Sequence, residues 1–126
     1  MNPTRSLNIL VVDDEEIVRE TLTAIIDFLG HTIELVNDGF FAKERLSGKD
    51  YDVAFFDMRM PGLDGMDLLA WCRHEKPHLP VIIMSGHGPE AFQEEALQAG
   101  AYKFIKKPFS IEEIKGLLVS IAKKKQ

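Results

Sequence analysis

The chain has 126 residues, 45% of them hydrophobic and 28% charged, which makes one ordinary globular domain with room for a core and not for two. A net charge of −5 offers no basic field for a nucleic-acid backbone, and a single cysteine, Cys72, permits no internal disulfide. No apolar run approaches the ~20 residues of a membrane span, and the opening MNPTRS lacks the apolar stretch of a secretion signal, so the expected location is the cytoplasm. In chain order, short apolar runs alternate with longer segments of helical spacing. The run at 9–12 reads as a first strand. A helix follows, with Ile17, Leu22, Ile25, Ile26 and Leu29 on one broad apolar face, stopped by Gly30. Strands are expected at 32–36, 53–56, 81–84 and 102–105, too short for helices and rich in β-branched and aromatic residues. Between and after them, helices are expected at about 40–46, 67–74, 90–99 and 111–122. Ser110 with Glu113 is the capping-box pattern for the last helix. Lys123, Lys124 and Lys125, the one dense basic cluster, read as a solvated helix end or the start of a linker.

Five β–α units in regular alternation imply right-handed crossovers and helices on both faces of one parallel sheet. The expected fold is therefore a doubly wound α/β sandwich. The stretch MPGLDG at 60–65 is longer than a minimal strand-to-helix connection requires.

In an open parallel sheet, ligands bind beyond the carboxyl ends of the strands. Those ends carry Asp13 and Asp14, Asp57 (VAFFD), Ser85 (VIIMS) followed by Gly86, and Lys107 directly before Pro108. Each has an ordinary reading by itself: Asp14 as a helix N-cap, Asp57 opening a turn, Ser85–Gly86 as a loop pair, Lys107 as a solvated turn residue. Together they are harder to dismiss. Three carboxylates at one edge repel one another unless a cation sits among them. All candidate ligands are hard oxygens, without a Cys or His, which selects Mg²⁺ over zinc, with Mn²⁺ as a substitute. A hydroxyl and an ammonium at the same edge call for a further anion. The implied chemistry is phosphoryl binding or transfer next to Mg²⁺, with a carboxylate as nucleophile.

VVDDE, FFDMRMPGLDG, MSGHG and GAYKFIKKPF, in that order and spacing, resemble the response-regulator receiver domain of two-component signalling from Asn8 to about Lys123. The resemblance implies a flavodoxin-like sheet of order 2-1-3-4-5 and one receiver domain over 1–126, core about 8–123, with no output domain. It implies Asp57 as phosphoacceptor, Asp14 as a direct Mg²⁺ ligand, Asp13 as one acting through water, and the backbone carbonyl of Arg59 completing the protein ligands. Lys107 is implied to hold a phosphoryl oxygen, to pair with Asp57 otherwise, and to precede a cis proline; strand alternation turns its neighbour Lys106 away. Ser85 is the implied switch hydroxyl and Phe104 the aromatic ring that swings inward. Arg59 and His87, each two residues beyond a site residue, are implied to tune the phosphorylated lifetime.

The partners implied are a sensor histidine kinase or phosphotransfer protein upstream, and an output domain or target protein downstream. The presented face is helix 4, strand 5 and helix 5, with Glu90, Glu94, Lys103, Phe104 and Lys115 exposed, and it also suits a homodimer. Direct nucleic-acid or membrane binding is not expected. Nor is an enzyme, beyond Mg²⁺-dependent phosphorylation and dephosphorylation of the chain itself. A haloacid-dehalogenase-like phosphatase would need an acid where Arg59 stands, and a flavin carrier would need a Gly-rich loop where DDEEI stands. His31, His74 and His78 fit no ligand spacing and read as surface residues, and Cys72 as a small, at least half-buried hydrophobe.

Overall fold

The computed structural model describes residues 6–86, 88 and 90–124. His87 and Lys125, both singled out in the sequence, lie outside them. The strands are β1 (Asn8–Val12), β2 (Thr32–Val36), β3 (Val53–Asp57), β4 (Val81–Ser85) and β5 (Lys103–Lys106), and the helices are α1 (Glu16–Phe28), α2 (Gly39–Gly48), α3 (Gly65–Glu75), α4 (Ala91–Gln98) and α5 (Ile111–Lys124). All strand pairs are parallel and the order is β2-β1-β3-β4-β5, as the resemblance implies.

Why these runs are apolar throughout follows from the strand period of two. Ile9, Val11, Val53, Phe55, Ile82 and Met84 point to one side, where Leu22, Ile25 and Ile26 of α1 and Ile114, Leu118 and Ile121 of α5 cover them. Leu10, Val12, Ala54, Phe56 and Ile83 point to the other, under Ala42 and Leu46 of α2, Leu68, Leu69 and Cys72 of α3 and Ala96 of α4. Every residue of the central strands β3 and β4 is consequently buried, whereas the edge strands β2 and β5 keep exposed positions.

Several sequence expectations move. Strand β5 starts and ends one residue later than 102–105, and α3 begins earlier and α5 ends later than their apolar spacing suggested. Ile17 is 67% exposed and not among the buried residues of α1; it stands in the first turn of the helix, where it lines an open cavity instead. His31 is buried, not a surface residue. Its ring Nδ1 accepts the Leu7 backbone N–H at 3.0 Å, which ties the start of β2 to that of β1. No helix among the described residues is long and apolar enough to cross a membrane.

Candidate functional site

The order of the sheet reverses between β1 and β3, and the register carries their ends to one place. Val12 pairs with Val36 on one side and with Phe56 on the other, so Asp13 and Asp57 emerge side by side. Ser85 pairs with Lys106, and the Lys107 N–H donates to the Ser85 carbonyl at 2.9 Å. Lys107 thereby arrives at the same edge, while Lys106 faces out. The Lys107–Pro108 peptide is cis.

Asp13, Asp14 and Asp57 offer carboxylate oxygens that all lie within 4.8 Å of one another. Asp13 and Asp57 are buried and Asp14 is exposed. Lys107 Nζ sits among the acids, 2.8 Å from Asp13 Oδ2, 3.1 Å from Asp57 Oδ1 and 3.0 Å from Glu15 Oε1. Asp13 is further fixed by the Glu15 N–H on its Oδ1 at 2.9 Å and by the Arg19 guanidinium on its carbonyl at 2.7 Å. The neutral alternative for Asp14 is not realised: Glu15 stands at the N-cap of α1, and no side chain caps it.

Burial, then the neighbouring Asp13, raise the Asp57 carboxyl to about 6 against the pull of Lys107. Burial raises Asp13 as well, although the Lys107 ammonium and the Glu15 N–H oppose it. For Lys107 burial disfavours the charge, but the neighbouring carboxylates of Asp13, Glu15 and Asp57 outweigh it, so the ammonium persists. The corner is short of positive charge. Asp13 Oδ2, although in ion-pair range of Lys107, is buried with no aligned hydrogen bond. Three hard-oxygen donors, one of them so placed, fit a hard divalent cation.

Asp57, Ser85 and Lys107 share the wall of a cavity of about 710 Å³ with Asp14, Ile17 and Arg59. A second cavity, of about 90 Å³, lies behind it between Ser85, Phe92 and the half-buried Phe104. Arg59 is mostly exposed, 3.8 Å from Asp64 Oδ2 and with its guanidinium 5.1 Å from the centre of the Phe92 ring.

The sequence reading missed three participants. Glu15 was one acid in a run, and nothing local pairs it with a lysine 92 residues away. Phe92 carried no motif. Asp64 was legible: it stands three residues before Asp67, and the two form a reciprocal capping box at the start of α3, with Asp64 Oδ1 accepting from the Met66 and Asp67 N–H groups. That cap, and the positive φ of Gly62, account for the length of MPGLDG.

A doubly wound parallel sheet that reverses beside its central strand, with an acidic cation corner and one buried ammonium at the crevice, defines a class of small phosphoryl-handling domains. The family model for the response regulator receiver domain matches residues 9–119. The chain belongs to that family, whose members are phosphorylation-dependent switches of two-component signalling. It is 33% identical over 113 residues to the transcriptional regulatory protein FixJ of Bradyrhizobium diazoefficiens, an overlap of 90% of this chain and 55% of that protein. Among solved structures it is similar to the receiver domain of the Francisella response regulator 1452, with TM-score 0.89, 29% identity and coverage of 96% and 100% of the two chains. It is similar also to the beryllofluoride-activated NtrC4 receiver domain dimer, with TM-score 0.87, 28% identity and coverage of 94% and 98%. The chain spans about half the length of the curated relatives it matches.

Proposed function

We propose that Asp57 accepts a phosphoryl group from a histidine kinase or phosphotransfer protein, with Mg²⁺ held by Asp13, Asp14, Asp57 and the Arg59 backbone carbonyl. The observation that carries this reading is the convergence of three carboxylates, offering oxygens within 4.8 Å of one another, with an ammonium 2.8 Å from Asp13 and 3.1 Å from Asp57. A carboxylate oxygen of Asp57 attacks phosphorus, the P–N bond to the donor imidazole breaks, and its electron pair stays on the departing nitrogen, which takes a proton. Mg²⁺ held by the carboxylate oxygens would supply charge neutralisation at the phosphoryl group. Lys107 Nζ binds one phosphoryl oxygen, and burial at the strand end keeps the Asp57 nucleophile aligned. Water cleaves the acyl phosphate later, Arg59 and His87 tuning its access, so the chain turns over only its own phosphoryl group.

Ser85 then donates its hydroxyl to a phosphoryl oxygen, drawing the β4–α4 connection inward, and Phe104 turns into the 90 Å³ cavity beside Ser85. Taking such a two-state equilibrium from mostly off to mostly on needs about 5.5 kcal/mol of differential binding. The altered face is α4, β5 and α5, offered to an output domain, a target protein or a second copy; the dimeric NtrC4 relative supports the last. Residues 1–126 act as a single receiver unit in the cytoplasm, and the net charge of −5 argues against a direct nucleic-acid role. Acetyl phosphate with Mg²⁺ is expected to add one phosphoryl group by intact mass, and none to Asp57→Asn. Equal labelling of the variant overturns the assignment.

A further inference from the structure

Two cavities meet at Ser85, and one pair of side chains spans the wall between them. Arg59 lines the larger cavity with Asp57 and Lys107; Phe92, in the first turn of α4, lines the smaller one with Phe104. The Arg59 guanidinium lies 5.1 Å from the Phe92 ring centre and 3.8 Å from Asp64 Oδ2. Neither contact holds it firmly. The Asp64 contact is long, and an ion pair with so exposed an arginine contributes little, while a cation over a solvent-accessible ring shifts an equilibrium only about two- to fivefold. A phosphoryl group is a stronger partner: the guanidinium matches two of its oxygens at once, through charge-assisted bonds about twice as strong as neutral ones.

We propose that Arg59 is the phosphoryl-sensing link to α4: it stacks on Phe92 in the unmodified domain, and leaves the ring for the phosphoryl oxygens when Asp57 is modified. The inference rests on Asp57 being the phosphoacceptor. It adds a route to α4 distinct from the Ser85 hydroxyl, because release of Phe92 frees a ring that borders the cavity beside Phe104. It also assigns a sign to the stack, which opposes activation by holding the arginine away from the acceptor.

Beryllofluoride with Mg²⁺, which mimics an acyl phosphate, is titrated by NMR into the parent, Phe92→Leu, Arg59→Gln and the double variant. Phe92→Leu is expected to bind the mimic about two- to fivefold tighter, Arg59→Gln more weakly, and Phe92→Tyr, which keeps the ring face, like the parent. In the Arg59→Gln background the Phe92→Leu effect should vanish. A second reading needs no ligand: in the unmodified protein, Arg59→Gln should shift the Phe92 ring resonances. An undiminished Phe92→Leu effect without Arg59, or ring resonances indifferent to Arg59→Gln, overturns the link while leaving the phosphoacceptor in place. A parent that takes up no beryllofluoride overturns the phosphoacceptor, and the link with it.

Discussion

Lys107 stands closer to Asp13 than to Asp57, at 2.8 Å against 3.1 Å. The ammonium therefore occupies the middle of the acidic corner and competes with any cation the acids would bind. Removing it should separate two properties that are often lost together. Lys107→Ala leaves Asp13 and Asp57 buried without their counter-charge, a change that costs roughly 3 kcal/mol for a desolvated pair. Mg²⁺ affinity should rise, because the competing charge is gone, while the rate of labelling by acetyl phosphate falls. Urea unfolding without divalent ions and calorimetric Mg²⁺ titration check both halves; weaker Mg²⁺ binding would refute the competition.

Asp57 carries the opposite burden. Its carboxyl titrates near 6 in the folded chain against 3.8 as a free side chain. Between those values the native state holds the proton more tightly than the unfolded one. This contribution is fully present below about pH 4, is lost as pH rises through 6, and stays lost above. With divalent ions chelated, Asp57→Asn should stabilise the domain at pH 7.5 by up to about 3 kcal/mol and by almost nothing at pH 3.5, where the Asp57 carboxyl of the parent is itself neutral. Millimolar Mg²⁺ should raise the parent melting temperature at pH 7.5 and leave that of Asp57→Asn almost unmoved. A variant no more stable than the parent at neutral pH would show that the buried carboxylate carries no penalty.

Much of this corner was readable before any coordinates, for a physical reason. A parallel sheet covered on both faces writes its strands as unbroken apolar runs, and the polar residues ending those runs must lie at the ligand edge. Asp13, Asp57 and Ser85 follow from that alone; the adjacency of β1 and β3 came only through the family resemblance. What stayed hidden depends on side chains reaching across the fold. Glu15 looks like any acid in the first turn of a helix, and the exposure of Ile17 depends on the open cavity it lines. His31 offers no spacing because its partner is a backbone N–H, 24 residues away. The first turn of α2 presents Phe40 and Phe41 to solvent, against the rule that apolar residues mark the buried face, and the helix runs on to Gly48, past the Leu46 at which its apolar spacing stops.

His31 makes a second pH device at the far end of the sheet. Its Nδ1 can accept the Leu7 N–H only while the ring is neutral, and burial pushes its pKa below 6.5, with the Asp52 carboxylate opposing. The unfolded chain binds the proton more readily, so this contribution is present above about pH 6.5 and is lost as pH falls through the folded value. His31→Phe strands the buried Leu7 donor at a cost of about 1–3 kcal/mol at pH 8. The penalty should shrink at pH 5.5, where the unfolded parent takes up a proton that the buried ring resists. Chemical unfolding at the two pH values and hydrogen exchange at the Leu7 amide test it; an unchanged Leu7 exchange rate would discount the bond.

Gly65 holds Asp57 in place from behind. A Cβ built there would lie 2.1 Å from the Asp57 carbonyl oxygen and 2.8 Å from its carbon. These are backbone atoms of β3, so no rotamer change relieves the overlap. Gly65→Ala must push the start of α3 away from the strand or rotate the Asp57 peptide, and either change moves the carboxylate relative to Asp13 and Lys107. Overpacking of a well-filled interior costs about 1–3 kcal/mol, and the cap at Asp64, which is the residue before, moves with it. Gly48→Ala, where the added carbon meets nothing within 4 Å, is the control for a glycine-to-alanine change in a helix. Gly65→Ala should lower both the unfolding midpoint and the Mg²⁺ affinity, and Gly48→Ala should leave the affinity where it was. A folded Gly65→Ala domain that binds Mg²⁺ as the parent does would mean that the end of β3 yields without disturbing the acids, and that the close approach of α3 to Asp57 is packing alone.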